Sequence, residues 1–136
     1  MALETIGRQH VIPFDPKAES AEEYFQKIKS ALGKKGCFDL VVLGCGTDGH
    51  TASLFPKTRL IYDENESFSS NELPTGELRY SMTFPLILRA ARRVVFVNND
   101  VDKLKFFKAE DLTAGSLPIC KILASPQTKA VLHETV

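Results

Sequence analysis

The run Phe38-Asp39-Leu40-Val41-Val42-Leu43, followed at once by Gly44-Cys45-Gly46-Thr47-Asp48-Gly49-His50, constrains the fold of this chain more than any other stretch. Leu40 to Leu43 offers four apolar residues in succession with no polar alternate, and Asp39 is the only acid beside them. Such a run fits a strand covered on both faces of a sheet better than a half-solvated strand. Gly44, Gly46 and Gly49 then end the strand and demand a tight loop in which the backbone comes close to whatever it faces. Strands that end this way belong to sheets that bind ligands beyond their C-terminal edges.

The rest of the chain supplies partners for that strand. His10-Val11-Ile12 is a short extended candidate, limited by Pro13 and Pro16. From Ser20, the residues Ala21, Tyr24, Phe25, Ile28, Ala31 and Leu32 recur at helical spacing. Ser20 with Glu23 fits a capping box, and Gly33 with Gly36 fits the helix end. Thr51 to Phe55 reads as the start of a short helix stopped by Pro56, and residues 63–77 read as a polar, exposed excursion. Leu78 to Phe84 is extended, Pro85 to Ala91 a short helix, and Arg93 to Val97 a second buried strand. Val101 to Ala109 reads as helix and Lys129 to His133 as a last strand. Strands alternating with helices predict one α/β domain over residues 1–136, with a mostly parallel, Rossmann-like sheet flanked by helices. Two loops then lie at strand ends: Gly44–His50 and Asn98–Lys103.

Composition narrows the function. With 136 residues, 43% of them apolar, the chain can bury one core. Seventeen basic residues balance seventeen acidic ones, so no global field draws in nucleic acid or a membrane surface. An anionic ligand must be held by a few local cations. No apolar run approaches the roughly 20 residues of a membrane span, and Met1 to Ile6 has no basic segment leading into an apolar one, as a signal peptide would. Cys37, Cys45 and Cys120 are odd in number and lack CxxC spacing. They predict neither a disulfide framework nor a zinc site, and make the reducing cytosol the expected compartment. No cofactor or metal is expected.

The glycine-dense bend carries the chemistry. An aspartate two residues before a histidine can orient the ring and fix its tautomer, leaving the other nitrogen as a general base. Asp48 and His50 are so spaced. The plainer reading is a tight turn with a surface histidine. Gly44, Gly46 and Gly49 also match the dinucleotide pattern G-x-G-x-x-G. That fold needs a long helix from within the motif, whereas Pro56 closes any helix here after little more than a turn. Cys45 reads as a small filler, His10 and His133 as structural or exposed, and Phe106-Phe107 as core.

The stretch Phe38-Asp39-Leu40-Val41-Val42-Leu43-Gly44-Cys45-Gly46-Thr47-Asp48-Gly49-His50-Thr51-Ala52-Ser53-Leu54-Phe55-Pro56 resembles the signature of the 6-phosphogluconolactonases. Glucosamine-6-phosphate deaminases share the fold and the D-G-H core, but their loop continues toward Phe-Asn-Glu-Pro and supplies a glutamate. Here Ser53-Leu54-Phe55-Pro56 stands instead, which favours the lactonase branch. Arg79 to Pro85, Ala90 to Val97, Leu117-Pro118 and Lys129 to His133 are also similar to family segments, and Lys103 falls where the family has the lysine of a G-x-x-K turn. The resemblance runs over roughly residues 10 to 134.

The resemblance implies hydrolysis of 6-phosphogluconolactone, a step of the pentose phosphate pathway, with His50 as base and Asp48 orienting it. Gly44, Gly46 and Gly49 would line the substrate, with backbone N–H groups helping to stabilise an oxyanion. Arg79 and Lys103 would hold the sugar phosphate. Two departures stand out. Asp100 occupies a position usually held by glycine, adding negative charge near the implied phosphate site. The family's N-terminal half, with a Gly-Gly-Ser phosphate loop and an Asp-Glu-Arg segment, has no counterpart here, and residues 1–16 resemble the stretch just after it. The implied fragment therefore corresponds to the C-terminal part. Self-association or a complementing N-terminal half is one expectation; a non-catalytic fragment and a deaminase-like isomerase are the alternatives.

Overall fold

The structure, a computed structural model, describes residues 7, 11–98, 101–107 and 117–133. Helix α1, Ala21–Leu32, begins at Ser20 with the expected box: Glu23 N–H donates to Ser20 Oγ at 3.2 Å, and Ser20 N–H donates to Glu23 Oε2 at 2.8 Å. Gly33 closes it at φ 57°, and Gly36 follows in the left-handed conformation. Strand β1, Leu40–Gly44, starts two residues later than the apolar run. Next come β2, Phe68–Glu72, and β3, Leu78–Met82, then the short α2, Phe84–Leu88, and β4, Arg92–Asn98. The described residues end with α3, Val101–Leu104, α4, Pro118–Leu123, and β5, Thr128–His133.

Strands β1, β4 and β5 form a parallel sheet in the order β1-β4-β5, with Leu40 opposite Arg92 and Phe96 opposite Val131. Helices flank it, in keeping with the α/β expectation. Strands β2 and β3 form a separate antiparallel hairpin. One sheet face, carrying Val41, Leu43, Val95 and Val97, packs on Leu54, Leu60, Phe84, Ile87, Phe106, Ile119 and Ile122. Helix α1 lies against β2, where Phe14, Tyr24, Phe68 and Tyr80 meet with ring centroids 4.8–5.0 Å apart along the Phe14 and Tyr24 contacts.

Three expectations are corrected. The sheet is not covered on both faces: Leu40 is 50% exposed, Val42 58% and Phe96 49%, all on the face opposite the core. Helices α2 and α4 pack on the other side, so the apolar run of β1 stays half bare. Residues 63–77 are not simply an excursion, because Phe68–Glu72 pairs residue for residue with β3. Thr51 to Phe55 forms no helix. Ala52 sits at φ 50°, and Thr51 and Leu54 make a reciprocal bridge. A left-handed alanine cannot continue a right-handed turn. Helix α4 was foreshadowed only by Leu117-Pro118, with the proline in the first turn. His10 and Asp100 lie outside the described residues, as do the side chains of Phe107 and His133.

Arg93 ties the lower part of the sheet together. Its side chain, 1% exposed, donates to the carbonyls of Leu88 at 2.7 Å and Ala90 at 2.8 Å, and to Ser125 Oγ at 2.7 Å and Thr128 Oγ1 at 3.0 Å. Burial pushes its guanidinium pKa below the ordinary value. The carbonyls left open by the end of α2 receive the charge instead of a carboxylate.

Candidate active site

The bend after β1 is held by its own backbone. Gly46 N–H donates to the His50 carbonyl at 2.9 Å, Gly49 N–H to the Gly46 carbonyl at 3.1 Å, and Thr51 Oγ1 to the Gly44 carbonyl at 2.8 Å. These bonds fold the loop back on the strand end. They also use the amides of Gly46 and Gly49 internally, so those two N–H groups are not aimed at a substrate. Gly49 has φ 83°, and its carbonyl accepts the Ile119 N–H of α4 at 2.9 Å. A Cβ there would meet Leu117 Cδ1 at 3.0 Å, so glycine is needed for both conformation and space.

Gly46 is needed for a different reason. A Cβ on it would lie closer than 3.0 Å to His50 Nδ1 and Cε1 and to Asp48 Oδ1. The Asp48 and His50 side chains rest directly on its backbone. Gly44, by contrast, has open space where a Cβ would be. Its place in the site rests on its carbonyl, which anchors Thr51.

His50 Nδ1 stands 2.5 Å from Asp48 Oδ1, and the same oxygen accepts the His50 backbone N–H at 3.0 Å. Partial burial pushes the Asp48 carboxyl up, but the hydrogen bonds from the His50 amide and ring outweigh it and hold the pKa below the ordinary value. Asp48 is therefore an anionic acceptor at neutral pH, and the short contact requires Nδ1 to be the donor, because an ionised carboxylate has no hydrogen to give. The imidazole stacks on Phe55 with centroids 4.3 Å apart and planes 23° from parallel. Its side chain is 34% exposed, and among the described residues Nε2 has no hydrogen-bond partner. The ring is thus oriented through one nitrogen and open at the other.

The cations fall differently. Burial pushes the Cys45 thiol up, against the opposing field of the Lys103 ammonium. Lys103 is thus within electrostatic reach of the loop. Cys45 itself is a buried thiol, not an exposed nucleophile. Arg79 pairs with Glu77 at 2.9 Å, and no described contact joins it to Asp48 or His50. Two clefts, of about 1170 and 390 Å³, open beside the hairpin and beside α1; neither is lined by Asp48 or His50. The described residues place the imidazole at an open rim, not inside a closed slot. Among them, no group of three or more His, Cys, Asp or Glu side chains is placed to hold a metal ion, and no helix is long and apolar enough to cross a membrane.

Sequence reasoning missed three residues that fix this geometry. Phe55 supplies the plate under His50, Asn71 is buried on β2, and Ser81 is buried on β3. The S-L-F-P run contained Phe55, but nothing in the spacing marked Asn71 or Ser81.

Known proteins resemble this chain in sequence and in fold. A sequence profile of the family described as glucosamine-6-phosphate isomerases/6-phosphogluconolactonase matches residues 2–131. Human 6-phosphogluconolactonase is 36% identical over 133 residues, covering 90% of this chain and 50% of that protein. The crystal structure of devB protein superposes with a TM-score of 0.65 at 30% identity, covering 89% of this chain and 52% of that one. The crystal structure of 6-phosphogluconolactonase from Leishmania guyanensis gives 0.63 at 25% identity, over 84% of this chain and 48% of that one. The chain spans about half the length of the relatives it matches. It belongs to the glucosamine-6-phosphate isomerase/6-phosphogluconolactonase family.

Proposed function

We propose that this chain supplies the acid–base centre of a 6-phosphogluconolactonase. The observation that carries the reading is the Asp48–His50 pair, 2.5 Å apart and seated on Gly46 at the C-terminal edge of β1. His50 Nε2 takes a proton from a water as its oxygen attacks the lactone carbonyl. Asp48 steadies the imidazolium so formed. When the ring ester bond breaks, the same nitrogen returns the proton to the leaving oxygen, and the product is the open-chain acid. Positioned acid–base catalysis of this kind contributes about 10²–10⁴-fold. An activated ester needs no Lewis acid, and the chemistry asked of this pair needs no cofactor.

Lys103 and Arg79 are proposed to meet the sugar phosphate, Lys103 as a point charge and Arg79 as a fork once released from Glu77. Gly44, Gly46 and Gly49 shape the wall that the lactone approaches. The balanced charge of the chain gives nucleic acid no attractive field, and three cysteines without CxxC spacing suit a cytosolic, Rossmann-like enzyme.

The bare sheet face favours a second component. Leu40, Val42 and Phe96 form an uncovered apolar surface on a parallel sheet, whose two faces are both normally covered. Its proposed occupant is the polypeptide corresponding to the half of the relatives that this chain does not match, whether continuous with it or separate. That component would also complete the open rim beside His50.

A coupled assay of 6-phosphogluconolactone hydrolysis, read beside the mass of the protein in solution, tests both ideas. Turnover that disappears in His50→Ala supports the dyad. Turnover by a monomer with no exposed apolar surface removes the need for a second component. Release of ammonia from glucosamine 6-phosphate would favour the deaminase alternative.

A further inference from the structure

The segment after His50 is gripped from the far side by the β2–β3 hairpin. Asn71, 2% exposed, donates through Nδ2 to the Ser53 carbonyl at 2.8 Å and to Thr58 Oγ1 at 3.0 Å. Thr58 Oγ1 in turn donates to the Phe55 carbonyl at 2.7 Å. Ser81 Oγ, also 2% exposed, accepts the Ser53 N–H at 3.2 Å and donates to the Met82 carbonyl at 2.9 Å. Two hairpin side chains therefore hold both backbone polar groups of Ser53 and, through Thr58, the carbonyl of the residue on which His50 stacks. Just before Ser53, Ala52 sits at φ 50° within the Thr51–Leu54 bridge, a sparsely populated conformation for an alanine.

These contacts have a direction. The Asp48 bond fixes His50 at Nδ1 but leaves the ring free to swing about that contact. The face-to-face plate of Phe55, 4.3 Å away, removes the swing. We propose that Asn71 and Ser81 are positioning residues for the general base: they clamp residues 53–58 so that Phe55 holds the imidazole plane and aims Nε2 at the substrate side. The inference rests on the lactonase reading for its catalytic meaning, but the ring geometry is measurable without turnover.

The decisive variant is Asn71→Ala in the whole chain, compared with wild type by NMR of the His50 ring, assigned with His50→Gln. In wild type the His50 carbon-bound protons should lie upfield because of the Phe55 ring current, and the nitrogen shifts should report one tautomer, with the hydrogen on Nδ1. Asn71→Ala should move those protons toward their unstacked positions while the Asp48 contact keeps the Nδ1 tautomer; Phe55→Tyr keeps both signatures and Phe55→Leu loses the upfield displacement. A native-state Asn71→Ala whose ring-current shift matches wild type would overturn the proposal, even if it melts earlier. Should Asn71→Ala fail to fold, Ser81→Ala is read the same way and decides it. Where hydrolysis is measurable, kcat should fall about 10- to 100-fold with KM unchanged, as for a small misplacement of a catalytic group. Absence of hydrolysis in wild type would count against the lactonase reading alone, since the ring signatures still decide the clamp.

Discussion

One oxygen of Asp48 receives both the backbone amide and the ring Nδ1 of His50, at 3.0 and 2.5 Å. This pairing makes the bend a pH-dependent structure. The folded carboxyl is depressed relative to its unfolded value of about 3.9, so the stabilisation it gives is complete above that value and is lost as pH falls through the lower folded one. Carbon NMR of the Asp48 carboxyl should titrate below about 3.9. Asp48→Asn should abolish that titration and, because the side chain is 51% exposed, change folding stability by less than about 1 kcal/mol. It should lower lactone hydrolysis by about 10²-fold, because the ring loses its tautomer lock.

Gly46 predicts a steric effect on the same pair. Gly46→Ala puts a methyl group where the imidazole and carboxylate now lie. Either the backbone shifts or His50 leaves its seat. The expected result is a cost of about 1–3 kcal/mol in urea unfolding, together with loss of the Phe55 ring-current shift on His50. Gly44→Ala meets no such obstacle and should leave both nearly unchanged.

Arg93 is the main structural prediction away from the site. Arg93→Met removes the donors that satisfy the Leu88 and Ala90 carbonyls as well as Ser125 and Thr128. Each buried acceptor left open costs about 1–3 kcal/mol. Chemical denaturation should show a marked loss of stability, with α2, β4 and β5 losing hydrogen-exchange protection together. Unchanged protection in all three elements would contradict the role assigned to this side chain.

The uncovered sheet face makes its own prediction. The purified chain should bind an apolar dye or self-associate, and the double change Val42→Lys with Phe96→Lys should suppress either behaviour. Light scattering with dye fluorescence measures both. The same double change should weaken any gain in activity from adding the unmatched half of a relative.

The strand that ends in glycines, the capped helix α1, and strands β4 and β5 were legible because their signals are local. A run such as Leu40 to Leu43, or Ser20 three residues before Glu23, carries its structure in its own side chains. Strand β2 was not legible, since Ser69, Ser70, Asn71 and Glu72 have little intrinsic preference for it. It exists through pairing with β3 and through Asn71, whose amide is consumed by a loop 13 to 18 residues away. The left-handed Ala52 was hidden because alanine has no preference for that conformation; it sits inside the reciprocal Thr51–Leu54 bridge. An apolar run also says that two faces suit burial, but not what buries the second one.

The central claim is that one oriented imidazole performs the proton transfers. The most direct measurement is the initial rate of 6-phosphogluconolactone hydrolysis, corrected for spontaneous opening, for wild type and His50→Ala. Each is assayed together with the half of human 6-phosphogluconolactonase that this chain does not match. The account predicts a loss of about 10²–10⁴-fold in His50→Ala with the fold intact. An undiminished rate in a folded His50→Ala protein would contradict it.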